Sequence, residues 1–169
     1  MPYRKATMNS VTTAAAPAGQ YLTFVLGGEV FALGILAIKE IIEYSDLTTV
    51  PMTPEYVRGV INLRGAVVPV LDLLVRFARQ PSPVTKRTCI VIVEINAGGE
   101  RHDIGLVVDA VNAVLDIPAG DIEPPPAYGA SVRTEYIHGM AKVNNRFVIL
   151  LDVDQALAAE ELLAISQAA

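Results

Sequence analysis

Residues 55 to 73 read EYVRGVINLRGAVVPVLDL, and eighty positions later residues 135 to 153 read EYIHGMAKVNNRFVILLDV. The alignment needs no gap. Glu55/Glu135, Tyr56/Tyr136, Gly59/Gly139, Val68/Val148, Leu71/Leu151 and Asp72/Asp152 are identical, and most other positions exchange one apolar residue for another. A chain duplicated in this way has to fold as two related units, so the shared positions report the fold. The copies differ most where the first carries Asn62-Leu63-Arg64-Gly65 and the second Lys142-Val143-Asn144-Asn145. That difference is where function is to be sought.

Short apolar runs closed by turn residues recur in both halves. QYLTFVL (20–26) runs into Gly27-Gly28 and returns as EVFAL; CIVIVEI (89–95) runs into Gly98-Gly99 and returns as ERHDIGLVV. Two glycines between apolar runs are a hairpin signal. Gly65 and Asn144-Asn145 supply the positive φ that the duplicated hairpins need. Thr53-Pro54-Glu55 carries a helix-start signal with room for about one turn before Gly59. Asp72 and Asp152 stand where they would cap helices, a short one (LLVRFAR) and a longer one (VDQALAAEELLAIS) with Gln155 completing a capping-box pattern. In ILAIKEII, apolar residues at 35, 38, 41 and 42 fit a short helix or helical turn. Its second-half counterpart, from Gly105 onward (LVVDAVNAV), is more β-branched. Pro118 and Pro124-Pro125-Pro126 break regular structure between the copies.

Many short strands and few long helices predict a mainly β protein. About ten strands in two copies suggest two small barrels of roughly five strands each, a closure that removes exposed edges. The layout expected is a flexible tail over 1–19 and a single domain over 20–168. Within it lie subdomains of about 20–82 and 86–153 and a C-terminal helix over 153–166. Strands can cross between barrels this similar.

The hydrophobic fraction is 52%, with no apolar run near the ~20 residues of a membrane helix. That surplus fills a core or, in part, lies on interaction surfaces. The net charge is -5 with no basic cluster, which weighs against nucleic-acid binding. Cys89 is the only cysteine; it reads as a small core residue in a reducing cytoplasm, and a disulfide framework or Cys-rich metal site is excluded. There is no phosphate loop, HExxH or GxSxG motif. His102 and His138 lie far apart, and His138 stands where the first copy has Arg58, which suggests a surface position in both. The acids pair with no base. No enzyme, cofactor or metal is expected.

That leaves interaction. Arg64 sits at a hairpin tip in one copy only, either as a solvated turn residue or as a docking residue offering planar, multivalent hydrogen bonding. Glu40 interrupts Ile38-Lys39-Glu40-Ile41-Ile42, either as the solvated side of a helical turn or as a charged rim beside an apolar contact.

Four blocks in order, QYLTFVLGGEVFALGILAIKEII, TPEYVRGVINLRGAVVPVLDL, GLVVDAVNAVL and TEYIHGMAKVNNRFVILLDV, resemble the CheW family of bacterial chemotaxis coupling proteins. The resemblance runs from about Gln20 to about Ser166. It implies two SH3-like five-stranded barrels and no catalysis. It also implies a protein that joins the cytoplasmic tips of chemoreceptors to the histidine kinase CheA, binding the kinase's regulatory domain end to end. Such assemblies lie in the cytoplasm under the inner membrane, with no insertion into it. By motif, Arg64 and Glu40 match positions implicated in receptor coupling, and Ile38 an apolar position beside a receptor groove between the barrels. Asn62 and Gly65 shape the same loop. Leu74 departs from the family, which often has arginine there. A standalone adaptor is expected rather than a domain detached from a kinase. The alternatives are an adaptor of a non-flagellar pathway, driving pili or another output, and an RNA-binding SH3-like barrel, which the acidic charge disfavours.

Overall fold

The computed structural model describes residues 19–97, 99–124 and 136–153. Their strands are β1 (Gln20–Leu26), β2 (Glu29–Gly34), β3 (Ile38–Glu43), β4 (Val57–Leu63), β5 (Ala66–Asp72), β6 (Cys89–Ala97), β7 (Glu100–Val108), β8 (Ala110–Asp116), β9 (Ile122–Glu123), β10 (Ile137–Val143) and β11 (Arg146–Leu151). One short helix, α1 (Leu73–Arg76), follows β5. Pairs of positive-φ residues mark the reversals: Gly27 and Gly28 (57° and 84°), Arg64 and Gly65 (53° and 87°), Asn144 and Asn145 (50° and 64°). Two such residues in succession make the tight turn whose twist suits a hairpin.

The strands form two sheets, ordered β8-β1-β2-β11-β10-β9 and β3-β6-β7-β5-β4. Leaving out the two-residue β9, the orders are equivalent, with β8 matching β3, β1 matching β6, β2 matching β7, and β11-β10 matching β5-β4. Each sheet therefore mixes the copies. The hairpin β1-β2 leaves β3, β4 and β5, which follow it in sequence, and inserts between β8 and β11. The hairpin β6-β7 inserts reciprocally between β3 and β5. So β1 and β2, which belong to the segment 20–82, pair with strands of 86–153. Two parallel joints complete the exchange: Val70, Leu71 and Asp72 against Gly105, Leu106 and Val107, and Ile149 and Leu150 against Phe31 and Ala32.

The gap-free alignment of the copies survives in the registers. Gly59 faces Val70 and Ile61 faces Val68; Gly139 faces Leu150 and Ala141 faces Val148, with a bulge at the same place in each. The shared glycines are forced by close approach. A Cβ at Gly59 would lie 2.6 Å from the Thr48 carbonyl oxygen, and one at Gly139 2.6 Å from Ile122 Cγ2. The crossing segments are equivalent too: Thr48 bridges Val60, and β9 pairs with Met140 and Ala141.

Alternation along the strands feeds three cores. One cluster within each sheet is small: Ala32, Ile117, Ala141, Val148 and Leu150 in one, Val68, Val70, Ile90, Ile92 and Val107 in the other. The third is the largest and belongs to both sheets; Phe24, Phe31 and Leu33 meet Leu71, Leu74, Val91, Val93, Leu106 and Ile149 there. β6 is buried on both faces, which is why CIVIV is apolar without a break. Most of the apolar surplus thus goes to the core between the sheets. The exposed large apolar side chains among the described residues are Leu36, Ile41, Met52, Val67, Val84 and Phe147. An aromatic series, Phe24, Phe31, Phe77 and Tyr136, crosses this core with ring centroids 5.7 to 6.3 Å apart. The guanidinium of Arg76 lies over both duplicated tyrosines, 4.9 Å from the Tyr56 ring centre and 5.5 Å from that of Tyr136.

Several local expectations need correction. Asp72 does cap α1, accepting the Val75 N–H at 3.3 Å, but it also holds Arg58 at 2.9 Å, with only 4% of its side chain exposed. Arg58 is therefore a partly buried ion-pair residue that also donates to the Tyr44 hydroxyl at 3.2 Å, and only His138 is a surface residue. Thr53-Pro54-Glu55 starts a turn and not a helix; Val57 N–H reaches the Pro54 carbonyl at 3.0 Å and the strand begins at once. ILAIKEII is a single tight turn, Ile35–Ala37, followed by strand β3. LVVDAVNAV is extended as well, and strand register aligns Ile38 with Val111. Cys89 is half-buried at the start of β6 rather than enclosed. Leu74, where the family often has arginine, is 2% exposed in the shared core. The tail expected over 1–19, but for Gly19, and the helix expected over 153–166, but for Val153, lie outside the described residues, as do the residues that Asp152 would cap.

Two outcomes follow. Gly59→Ala and Gly139→Ala should each destabilise the protein by about 1–3 kcal/mol, since a backbone carbonyl or a packed side chain must give way; urea unfolding measures this. Separate chains 19–83 and 84–169, cut in the exposed Pro83-Val84 segment, should each fail to give a dispersed amide NMR spectrum and should recover it when mixed. A folded, monomeric 19–83 would contradict the exchange.

Candidate functional site

The exchange sends β3 and β8 out of one sheet and into the other, and each becomes an end strand. Between them lies a groove of about 400 Å³, lined by Ile38, Lys39, Glu40 and Ile41 on one wall and Val111, Asn112, Ala113 and Val114 on the other, with Leu22 and Ile35. Each wall carries a bulge, at Lys39 and at Asn112, where the register shifts. A bulge re-aims side chains and twists an edge away from further pairing. On the β8 wall, the buried Thr23 hydroxyl donates to the Ala113 carbonyl at 3.0 Å and accepts the Ala113 N–H at 3.3 Å, satisfying the backbone there.

Arg64 opens the β4-β5 turn at φ 53°. The turn is held by Asn62, whose Oδ1 accepts the Gly65 N–H at 2.9 Å. A Cβ on Gly65 would meet open space, so its positive φ of 87°, not crowding, accounts for the glycine. From this tip Arg64 reaches across to β3 and donates through Nη1 and Nη2 to the two carboxylate oxygens of Glu40, at 2.5 and 2.9 Å. The pair is bidentate, the geometry in which guanidinium and carboxylate match best. The hydrogen bond from Arg64 holds the Glu40 carboxyl below its ordinary range, against a smaller opposing effect of desolvation. The same bond raises Arg64. Arg64 is still 72% exposed, against 28% for Glu40. Lys39 turns away to Asp103 at 3.1 Å.

The structure thus joins the residues the sequence singled out. Ile38 is half-buried, lines the groove and packs against the shared core. Glu40 stands on the same wall, on a strand and not a helical turn. Asn62 and Gly65 build the turn that delivers Arg64. The opposite wall, Val111 to Val114, is not among the residues the sequence marks as a site, although it lies in the block GLVVDAVNAVL. Its signal was the correspondence with ILAIKEII, which only strand register aligns correctly. A second hollow gathers Glu94, Arg101, His138 and Asp152 beside Leu36. Among the described residues no group of three or more His, Cys, Asp or Glu is placed to hold a metal.

The pair sets a pH dependence. A carboxyl whose folded pKa is depressed keeps its bond above the ordinary range and loses it only as pH falls through the lowered value. An NMR titration of Glu40 should show a midpoint below the reference 4.5. Arg64→Gln should bring it back toward that reference, and an unchanged midpoint would mean that the pair does not form in solution.

Comparison with known proteins agrees with this geometry. A family model described as a CheW-like domain matches residues 20–161. The chain is 35% identical over 150 residues to the chemotaxis protein CheW of Klebsiella aerogenes, covering 89% of this chain and 88% of that one. It is 28% identical to the protein FrzA of Myxococcus xanthus, covering 85% and 88%. The crystal structure of the scaffolding protein TtCheW from Thermoanaerobacter tengcongensis matches with a TM-score of 0.73 at 35% identity, over 80% of this chain and 84% of that one. Among the described residues no helix is long and apolar enough to cross a membrane. By its duplicated barrels, its family model and its relatives, the chain belongs to the CheW family.

Proposed function

We propose that this protein is a non-catalytic adaptor that couples chemoreceptor cytoplasmic tips to a CheA-type histidine kinase. The observation that carries the proposal is the groove between β3 and β8, apolar within and rimmed on one side by the Glu40–Arg64 pair. An apolar groove takes the apolar face of an amphipathic helix, and charged residues at its rim set register and exclude wrong partners. A receptor tip is a helical hairpin and presents such a face. The kinase binds elsewhere, through the end of a barrel and the loops and strand edges there. Separate surfaces for two partners are what an adaptor requires. Each contact can be weak, because repetition in an array under the membrane supplies avidity.

A second reading is that the same adaptor serves a pathway with an output other than flagella; a relative whose name is not that of a chemotaxis protein, FrzA, favours keeping it. The partners decide between the two. A pull-down from the native cytoplasm and membrane fraction should recover a receptor and a CheA-type kinase, and their identity names the pathway.

Arg64→Glu replaces the rim cation by a second acid beside Glu40. The variant should fold with an unchanged melting curve, bind receptor tips about ten-fold more weakly or worse, and lose receptor-dependent kinase activation in reconstituted membranes. A folded Arg64→Glu protein with full coupling would move the receptor site away from this rim.

A further inference from the structure

The two walls of the groove are the same strand in the two copies. Ile38, Glu40 and Ile41 pair with β6 in the register in which Val111, Ala113 and Val114 pair with β1, and the bulged Lys39 corresponds to the bulged Asn112. Exposure corresponds at three of the four positions: Ile38, Glu40, Val111 and Ala113 are half-buried and Lys39 and Asn112 exposed, while Ile41 is exposed where Val114 is half-buried. The turns match in turn, since Arg64 and Asn144 both open a two-residue reversal, at φ 53° and 50°. The strand backbone of the groove is therefore duplicated across it, and its apolar lining in part, since Leu22 and Ile35 also line it where their counterparts Val91 and Val108 do not. The charges are not. Glu40 and Arg64 stand on one side; Ala113 and Asn144 hold the corresponding places on the other.

A groove whose walls repeat offers an elongated ligand two placements, related by exchange of the walls. Isoleucine against valine separates them poorly, because apolar contact is non-directional. The rim is what tells them apart. Arg64 gives Glu40 one N–H from each terminal nitrogen, and a guanidinium has five. Its remaining donors have no partner among the described residues and point from a 72% exposed side chain. They suit a carboxylate on the flank of the incoming helix, and the Ala113 side offers no equivalent.

We propose that the one-sided rim, Glu40–Arg64 facing the bare Ala113 and Asn144, fixes which of the two placements an amphipathic helix with an acidic flank takes. The inference rests on the reading of this groove as the helix-docking site. It makes Ala113 and Asn144 specificity residues by what they lack, since a second charged rim there would leave both placements open.

The test moves the rim. In the exchanged protein, Glu40→Ala, Arg64→Asn, Ala113→Glu and Asn144→Arg transpose each residue with its counterpart, and both turn positions keep residue types already seen there at positive φ. A nitroxide at Met52→Cys, in a Cys89→Ser background, marks one barrel. A second nitroxide sits off-centre on a chemoreceptor-tip helical hairpin, and pulsed electron paramagnetic resonance reads the distance between them. The unexchanged chain should give one distance, and the exchanged chain a single different one at comparable affinity. The neutral pair Glu40→Ala/Arg64→Asn should give both distances and weaker binding. That variant only shortens side chains, so it carries the test even where the fourfold exchange does not fold. The original distance persisting alone in the exchanged or the neutral protein would overturn the inference while leaving the docking reading standing. Failure of the hairpin to bind the unexchanged chain would overturn both.

Discussion

The rest of the molecule depends on where two hairpins sit. β1-β2 is held between β8 and β11, and β6-β7 between β3 and β5, so the centre of each sheet comes from the copy that does not supply its edges. Neither barrel can then close without the other half of the chain, and the large core between the sheets forms in the same step. The exchange also makes the groove. β3 follows β2 in sequence but pairs with β6, and β8 follows β7 but pairs with β1. These two crossing strands leave their hairpins' sheets side by side and become its walls. A groove built from topology in this way takes its shape from the two sheets, with only the Arg64 turn added to it.

What could be read from the sequence follows from which physical demands are local. Positive φ at a turn is local, so Gly27-Gly28, Arg64-Gly65 and Asn144-Asn145 were legible as reversals. The cap at Asp72 was legible for the same reason. β3 was not, because the bulge at Lys39 breaks the two-residue period and leaves Ile35, Ile38, Ile41 and Ile42 at a spacing that imitates a helix. Thr53-Pro54-Glu55 has a sound helix-start pattern, overridden by the bridge from Thr48 to Val60 and the tight approach at Gly59. The partner of Arg58 was invisible because Asp72 meets it through strand pairing. The exchange itself leaves no local trace, since both glycine hairpins are apolar on the faces that either arrangement would bury. At the site, the difference between the copies pointed to Arg64, but that Glu40 is the residue it holds is a tertiary fact.

Two arginine–carboxylate pairs of the first copy, Arg58–Asp72 and Arg64–Glu40, show how differently such contacts are used. Arg58 and Asp72 are largely withdrawn from water, with side chains 22% and 4% exposed. Removing either partner there would strand a buried charge, so the pair is tied to the integrity of the β4-β5 unit and the start of α1. Arg64 and Glu40 lie at the surface, where an ion pair adds little to stability because water and salt screen it. The fold therefore does not account for them. Their effect is on the arginine. A free arginine at a turn tip samples many rotamers, and a partner that binds it must freeze them. Glu40 has already done so, fixing the fork at the edge of the groove with its outer donors turned to solvent. In the proposed docking, an incoming helix that covered this rim would remove the water that screens the pair and meet a guanidinium already aimed. On that proposal, the same contact that contributes little to the stability of the isolated protein would discriminate between partners.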